Sequence, residues 1–162
     1  MSQENVEIVR SFNAPHDGQN VVPVIREMVE RLGQDPQPDA VLAEWGEDPG
    51  YQNLHPEFEL DLSAAGAFGT VARGPREVML SWAGWIEAWE SYVYRTVEYR
   101  DIGDWVLQTV DVRARGRGDI PVEMRTFQVW QVRDGKVAVY RAFLSEQDAL
   151  EAVGLSGQDI SA

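Results

Sequence analysis

Val122-Glu-Met-Arg-Thr-Phe-Gln-Val-Trp-Gln-Val132 places large or apolar side chains at positions of both parities. A strand with one face in water alternates cleanly between apolar and polar residues, so this one has packing on both faces. One face fits helices around a cavity, the other a second subunit. The stretch belongs to a longer segment, Trp105 to Leu155. That segment reads as two long strands, a third entered through Asp134-Gly135, and a short closing helix. Asp-Gly between apolar runs is the strongest short-range hairpin signal in a sequence.

Working outward, strands are expected at about Tyr92–Tyr99, Trp105–Arg115, Val122–Arg133 and Lys136–Leu144. Asp101-Ile-Gly-Asp104 and Arg115-Gly-Arg-Gly-Asp-Ile-Pro121 supply the first two connections. Ser145, with Gln147 and Asp148 in the next turn, opens the closing helix, and Gly154 stops it. Upstream, Pro75 begins a helix running to about Glu90. Phe58-Glu-Leu-Asp-Leu62 alternates like a strand and is followed by a Gly/Ala-rich loop through Gly69. Three helices precede it: Asn5 to Phe12 with Ser2 as a cap, Val24 to Leu32 ending at Gly33, and a short one to about Trp45. Helices, a strand, a helix and then an antiparallel meander make an α+β pattern rather than a parallel-sheet one.

The 162 residues fit one domain with a core of its own. There is no cysteine, which removes disulfides, thiolate nucleophiles and Cys-based metal sites. No apolar run approaches the ~20 residues of a membrane helix. The start lacks the basic and apolar regions of a signal peptide, so a cytoplasmic location is expected. Net charge is −13, and 13 of the 27 acidic side chains against 3 of the 14 basic ones fall in residues 1–61. An acidic chain without a basic, aromatic-interleaved stripe excludes nucleic acid as a partner.

Trp82, Trp85 and Trp89 recur at helical spacing, which puts their rings on one face. That face fills a core or lines an apolar ligand cavity, and such cavities are rich in aromatic residues. Trp105, Trp130 and Tyr140, from three of the strands, are the further candidates for a cavity wall. Asp111 is the best-placed carboxylate, in the middle of an apolar strand. It either works in a cavity or faces solvent beside Thr109 and Arg113. Arg125, on the next strand, either pairs with an acid across the sheet or holds a ligand anion. His55, before Pro56, is a base at a cavity mouth or an exposed histidine. With His16 and His55 alone, and no spaced acid–His pair, no metal site is expected. No Gly-x-Ser-x-Gly elbow or phosphate-binding loop occurs.

Several pieces in fixed order resemble the SnoaL-like branch of the NTF2-like superfamily. They are Asn5-Val-Glu-Ile-Val-Arg10, Gly74-Pro-Arg-Glu77, Asp101-Ile-Gly-Asp104, Phe127-Gln-Val-Trp130, Arg133-Asp-Gly-Lys-Val137 and Ala149-Leu-Glu-Ala-Val-Gly-Leu155. The resemblance covers about Leu54 to Leu155 and the first helix. It implies a cone-shaped α+β barrel, with a curved antiparallel sheet wrapped around N-terminal helices and a deep pocket. It also implies a homodimer formed through the sheet. Relatives include polyketide cyclases, ketosteroid isomerase and limonene-epoxide hydrolase, beside non-catalytic modules. One domain over residues 1–155 is expected, with an extended helical segment at about 13–53 and a tail at 156–162.

By resemblance, the function is binding of a small hydrophobic, oxygenated molecule, with or without cofactor-independent acid–base catalysis of the isomerase, cyclase or hydrolase type. The alternative is a non-catalytic binding or dimeric accessory module. No cofactor is implied. The isomerase relatives place a catalytic Asp near the end of the first strand. Alignment puts Leu60 at that position and Asp61 beside it, so Asp61 joins Asp111, Arg125 and His55 as a catalytic candidate. Fold alone does not decide among these functions.

Overall fold

The computed structural model describes residues 2–48, 51–64 and 71–154. Helices α1 (Ser2–Asn13), α2 (Val22–Leu32) and α3 (Pro38–Glu47) come first, then a 3₁₀ turn at Tyr51–Asn53 and strand β1 (Leu54–Asp61). Strand β2 (Val71–Arg73) leads directly into helix α4 (Gly74–Ile86). Four long or medium strands follow: β3 (Trp89–Ile102), β4 (Trp105–Gly116), β5 (Ile120–Arg133) and β6 (Lys136–Phe143). Helix α5 (Glu146–Ala152) closes the described chain. No helix among the described residues is long and apolar enough to cross a membrane. The loop expected through Gly69 lies mostly outside the described residues, as do Leu155 and the 156–162 tail.

Local chemistry explains most of these boundaries. Helices α2, α3 and α4 each carry proline in their first two positions, where the missing N–H costs no hydrogen bond. Gly33 ends α2 at φ 78° while its N–H donates to the Val29 carbonyl at 2.9 Å. Ser145 caps α5, its Oγ accepting from the Asp148 N–H at 3.1 Å. Asp134 and Gly135 take successive positive φ values of 55° and 73°. That pair makes the mirror-image tight turn which suits the twist of a hairpin.

The six strands form one curved sheet in the order β2-β1-β6-β5-β4-β3. All neighbours are antiparallel except β1 and β6, which run parallel. The expected α+β fold, a curved sheet around helices, is the fold observed. Three details differ from the sequence reading. The Pro75 helix ends at Ile86, so Trp89 opens β3 instead of closing the helix. Strand β2 and the parallel β1–β6 pairing had no local signal.

Each sheet face has its own covering. On the inner face Val106 and Trp130 pack with Val9 and Phe12 of α1, and Phe58 of β1 packs with Val78 and Met79 of α4. On the outer face Leu107, Val129 and Phe143 pack under Ala149 and Leu150 of α5. Beyond that helix the outer face shows charges: Asp111, Arg113, Glu123 and Arg125 are exposed. The two-faced character of β5 therefore comes in part from the chain's own terminal helix. A register shift between Thr96 and Glu98 puts a bulge into β3 and leaves Val97 exposed at 50%.

Candidate functional site

A cavity of about 370 Å³ lies between the helices and the inner face of the sheet. Alternation fixes which strand residues reach it. On β4 these are Gln108 and Val110, and on β5 Met124, Thr126, Gln128 and Trp130. On β6 Tyr140 and Ala142 face inward, and Phe58 and Leu60 do so on β1. Helix α4 contributes Trp82 and Trp85, and β3 contributes Trp89, Tyr92 and Tyr94. Phe12, Asn13 and His16 come from α1 and the turn after it, with Tyr51 from the 3₁₀ turn. No Asp, Glu, Lys or Arg lines the cavity among the described residues.

Aromatic rings form a large part of this wall, and several meet edge-on. Trp130 and Tyr140 have centroids 4.6 Å apart at 76°, and Trp85 and Tyr92 lie 4.7 Å apart at 69°. Tyr51 and Trp82 are 5.6 Å apart. A short polar chain runs through the sheet side. The Trp130 indole N–H donates to Gln108 Oε1 at 2.9 Å, and Gln108 Nε2 donates to Thr96 Oγ1 at 2.9 Å. Gln128 Nε2 donates to Thr126 Oγ1. On the helix side the Tyr94 hydroxyl donates to Asn13 Oδ1 at 2.8 Å, and Asn13 Nδ2 donates to the Val9 carbonyl at 2.9 Å. Burial pushes the Tyr92 phenol up to about 12 and raises those of Tyr51, Tyr94 and Tyr140 as well, so all four are neutral near pH 7.

His16 is the titratable base on this wall. It is buried, its ring centroid lies 5.3 Å from that of Tyr51, and burial lowers its pKa while the Asp48 carboxylate partly opposes the shift. The imidazole is neutral near pH 7 as a result. Sequence reasoning weighed His16 only as a metal ligand. The signal that bore on it was rarity, since the chain has two histidines. The described residues contain no group of three or more His, Cys, Asp or Glu able to hold a metal ion.

None of the four catalytic candidates from the sequence lines the cavity. Asp111 and Arg125 are direct cross-strand partners on the outer face. Their side chains pair through two hydrogen bonds, 2.7 Å from Arg125 Nε and 3.1 Å from Nη2, and both are about half exposed. The hydrogen bond from Arg125 holds the Asp111 carboxyl below its ordinary value. His55 is buried at the start of β1, where its Nδ1 accepts from the Glu57 N–H at 3.0 Å and its Nε2 lies 3.4 Å from Asp134 Oδ2. It ties β1 to the β5–β6 turn. Asp61 Oδ1 accepts from the Ser63 N–H at 2.9 Å and so caps the turn after β1. Leu60, its neighbour, is the one that faces inward.

Of the expected wall residues, Trp82, Trp85, Trp89, Trp130 and Tyr140 line the cavity. Trp105 does not, which corrects the sequence reading. Its odd position on β4 turns it to the outer face, where it packs with the cluster under α5 and stacks below the Arg141 guanidinium at 5.4 Å.

No family model matches the sequence, and no curated protein matches it either. Solved structures do. TerC, co-crystallised with polyporic acid, has a TM-score of 0.59 at 12% identity over 88% of this chain and 92% of its own. An NTF2-like protein from Burkholderia xenovorans LB400 has a TM-score of 0.57 at 17% identity, covering 94% and 96% of the two chains. A putative SnoaL-like polyketide cyclase from Jannaschia sp. CCS1 has a TM-score of 0.56 at 16% identity, covering 87% and 85%. At such identities the likeness is one of fold, and the fold of this chain is NTF2-like.

Proposed function

We propose that the chain binds a small, uncharged, largely apolar molecule bearing oxygen in its inner cavity. The observation behind this reading is the wall itself: about 370 Å³ lined by many aromatic rings, with amides, hydroxyls and a neutral imidazole but no ionised side chain among the described residues. That volume falls in the range of small-molecule sites, and apolar walls with a few placed polar groups are their usual composition. A charged ligand would lose its hydration here without meeting an opposite charge. TerC, similar in fold, was crystallised with polyporic acid, which agrees with a small-molecule role for a cavity of this kind.

Binding, and not carboxylate-driven turnover, is the reading favoured. Asp111 and Asp61 stand off the cavity with their oxygens engaged elsewhere, so neither supplies a proton acceptor to a molecule held inside. Titration with naphthol and with naphthoate, followed by tryptophan fluorescence, tests the proposal. Naphthol is expected to saturate, with naphthoate weaker by at least about tenfold, or roughly 1.4 kcal/mol. Ala142→Phe, which fills the space from the sheet side, should abolish the naphthol response. Equal binding of the two ligands, or binding untouched by Ala142→Phe, would place the site elsewhere.

A further inference from the structure

Three buried polar atoms on the cavity's lining residues have no hydrogen-bond partner among the described residues: His16 Nε2, Trp89 Nε1 and Gln128 Oε1. They come from three separate elements, the turn after α1, the first residue of β3 and the middle of β5. Folded proteins pair nearly all such groups, so a cluster of exceptions around one space asks for an explanation. Trp45 Nε1 and Arg141 Nε are also unpaired, but neither residue lines the cavity.

The chemistry of the three atoms defines what would satisfy them. An indole N–H only donates, so Trp89 requires an acceptor oxygen. The Gln128 amide nitrogen is committed to Thr126 Oγ1, which leaves Oε1, beside the Tyr140 hydroxyl but outside hydrogen-bond geometry with it, as an acceptor open to a donor hydroxyl. His16 is more than nine-tenths buried at 8% exposure, and its neutral ring accepts or donates at Nε2 according to tautomer. The rings of Phe12, Tyr51, Trp85, Tyr92, Trp130 and Tyr140 present flat and edge-on surfaces between these points.

We infer that the cavity is a site for an uncharged, hydroxylated ring compound. One hydroxyl donates to Gln128 Oε1, a second oxygen accepts from the Trp89 indole, and a further polar group meets His16 Nε2. This inference rests on the binding function proposed above and adds the hydrogen-bonding pattern that selects the ligand. A hydrocarbon of the same shape would fill the space and leave all three atoms unpaired. A site that must hydrogen-bond its ligand discriminates strongly against analogues lacking the group.

Calorimetric titration with naphthalene, methoxynaphthalene and dihydroxynaphthalene tests it against wild type, Trp89→Phe, Gln128→Met and His16→Phe. The quantity read is each oxygenated ligand's affinity relative to naphthalene in the same protein, so naphthalene binding also reports that each variant is folded. Trp89→Phe is expected to lower the ratio for both oxygenated ligands by about tenfold, which is ~1.4 kcal/mol. Gln128→Met should lower the diol ratio by a similar factor and leave the methoxy ratio unchanged, because an ether has no hydrogen to donate. His16→Phe should lower the diol ratio. Ratios unchanged in all three variants would overturn the inference while the binding function stood. Failure of wild type to bind any of the three compounds would defeat both.

Discussion

Gln108→Leu tests whether the polar chain behind the cavity is structural. Gln108 is 1% exposed, and its amide bridges Trp130 and Thr96 with two bonds of 2.9 Å. Leucine nearly matches its volume, so the change is in polarity and not in packing. The indole N–H of Trp130, a residue 2% exposed, then has no acceptor. An unpaired buried donor costs about 1–3 kcal/mol. Thr96 fares better, because its hydroxyl keeps the Tyr99 hydroxyl at 3.5 Å as a weak partner. The leucine also no longer has an amide to desolvate, which offsets part of the loss. A net destabilisation of about 2 kcal/mol is expected, a large share of the ~5–15 kcal/mol typical of such domains.

A double-mutant cycle with Trp130→Phe isolates the bond. Each single change leaves one partner unpaired, whereas the double change removes both. The combined loss should fall short of the sum of the single losses by about 1–2 kcal/mol. Urea unfolding midpoints at constant slope give the stabilities. Naphthol affinity gives a second readout, since the Trp130 ring, 4.6 Å from Tyr140 and 5.4 Å from Phe12, loses the anchor that sets its angle. Strict additivity in the cycle, or a Gln108→Leu protein as stable as wild type, would refute the argument.

The tyrosines make alkaline stability a second test. The unfolded chain titrates its phenols near 10, while the folded one holds Tyr92 protonated to about 12 and raises Tyr51, Tyr94 and Tyr140 as well. Above pH ~10 the unfolded state releases protons the folded state keeps, so stability is full below that pH and falls as pH rises, by up to about 1.4 kcal/mol per pH unit for each such tyrosine. Urea midpoints measured from about pH 9 to about pH 11 should show this, and a flat profile would mean that the phenols are not buried. Asp111→Asn breaks an exposed pair on the outer face, so naphthol affinity is expected to match wild type. A weakening of about tenfold would put Asp111 in functional contact with the cavity, against its observed position.

What the sequence made legible was whatever local chemistry decides. Gly33, Ser145 and Asp134-Gly135 mark their boundaries because a positive φ or a side-chain cap needs particular residues. The tryptophans at 82 and 85 were readable as one helical face. Strand β2 was not, because three residues whose extended form depends on pairing with β1 have no pattern of their own. The inward parity of β4 and β5 was hidden by α5, which buries Leu107 and Val129 on the opposite face and makes both sets apolar. Trp105 was misplaced for that reason. Asp111 shares its parity with Arg113 and Arg115, a local hint of the solvent side that its mid-strand position outweighed. His16 lies in the polar run Asn13-Ala-Pro-His-Asp-Gly18, which reads as an exposed turn. Phe12 is a local neighbour, but the burial of His16 also depends on Tyr51 arriving from elsewhere, and no local pattern encodes that.

The parallel pairing of β1 with β6 also governs when the molecule can come into being. Leu54 meets Val137, a partner about eighty residues later in the chain, and loops of that length close slowly. During synthesis the three N-terminal helices and β1 are made long before β6, the strand that joins β1 to the rest of the sheet. The aromatic wall contributed by β3 and β5 is likewise made before β6 can cover its flank. The sheet of this chain is therefore complete only once β6 has been made. Until β6 is made, the surfaces destined for the cavity are open to one another, and a chain stopped in the β5–β6 turn would hold most of the wall's rings but lack Tyr140 and the strand that carries it.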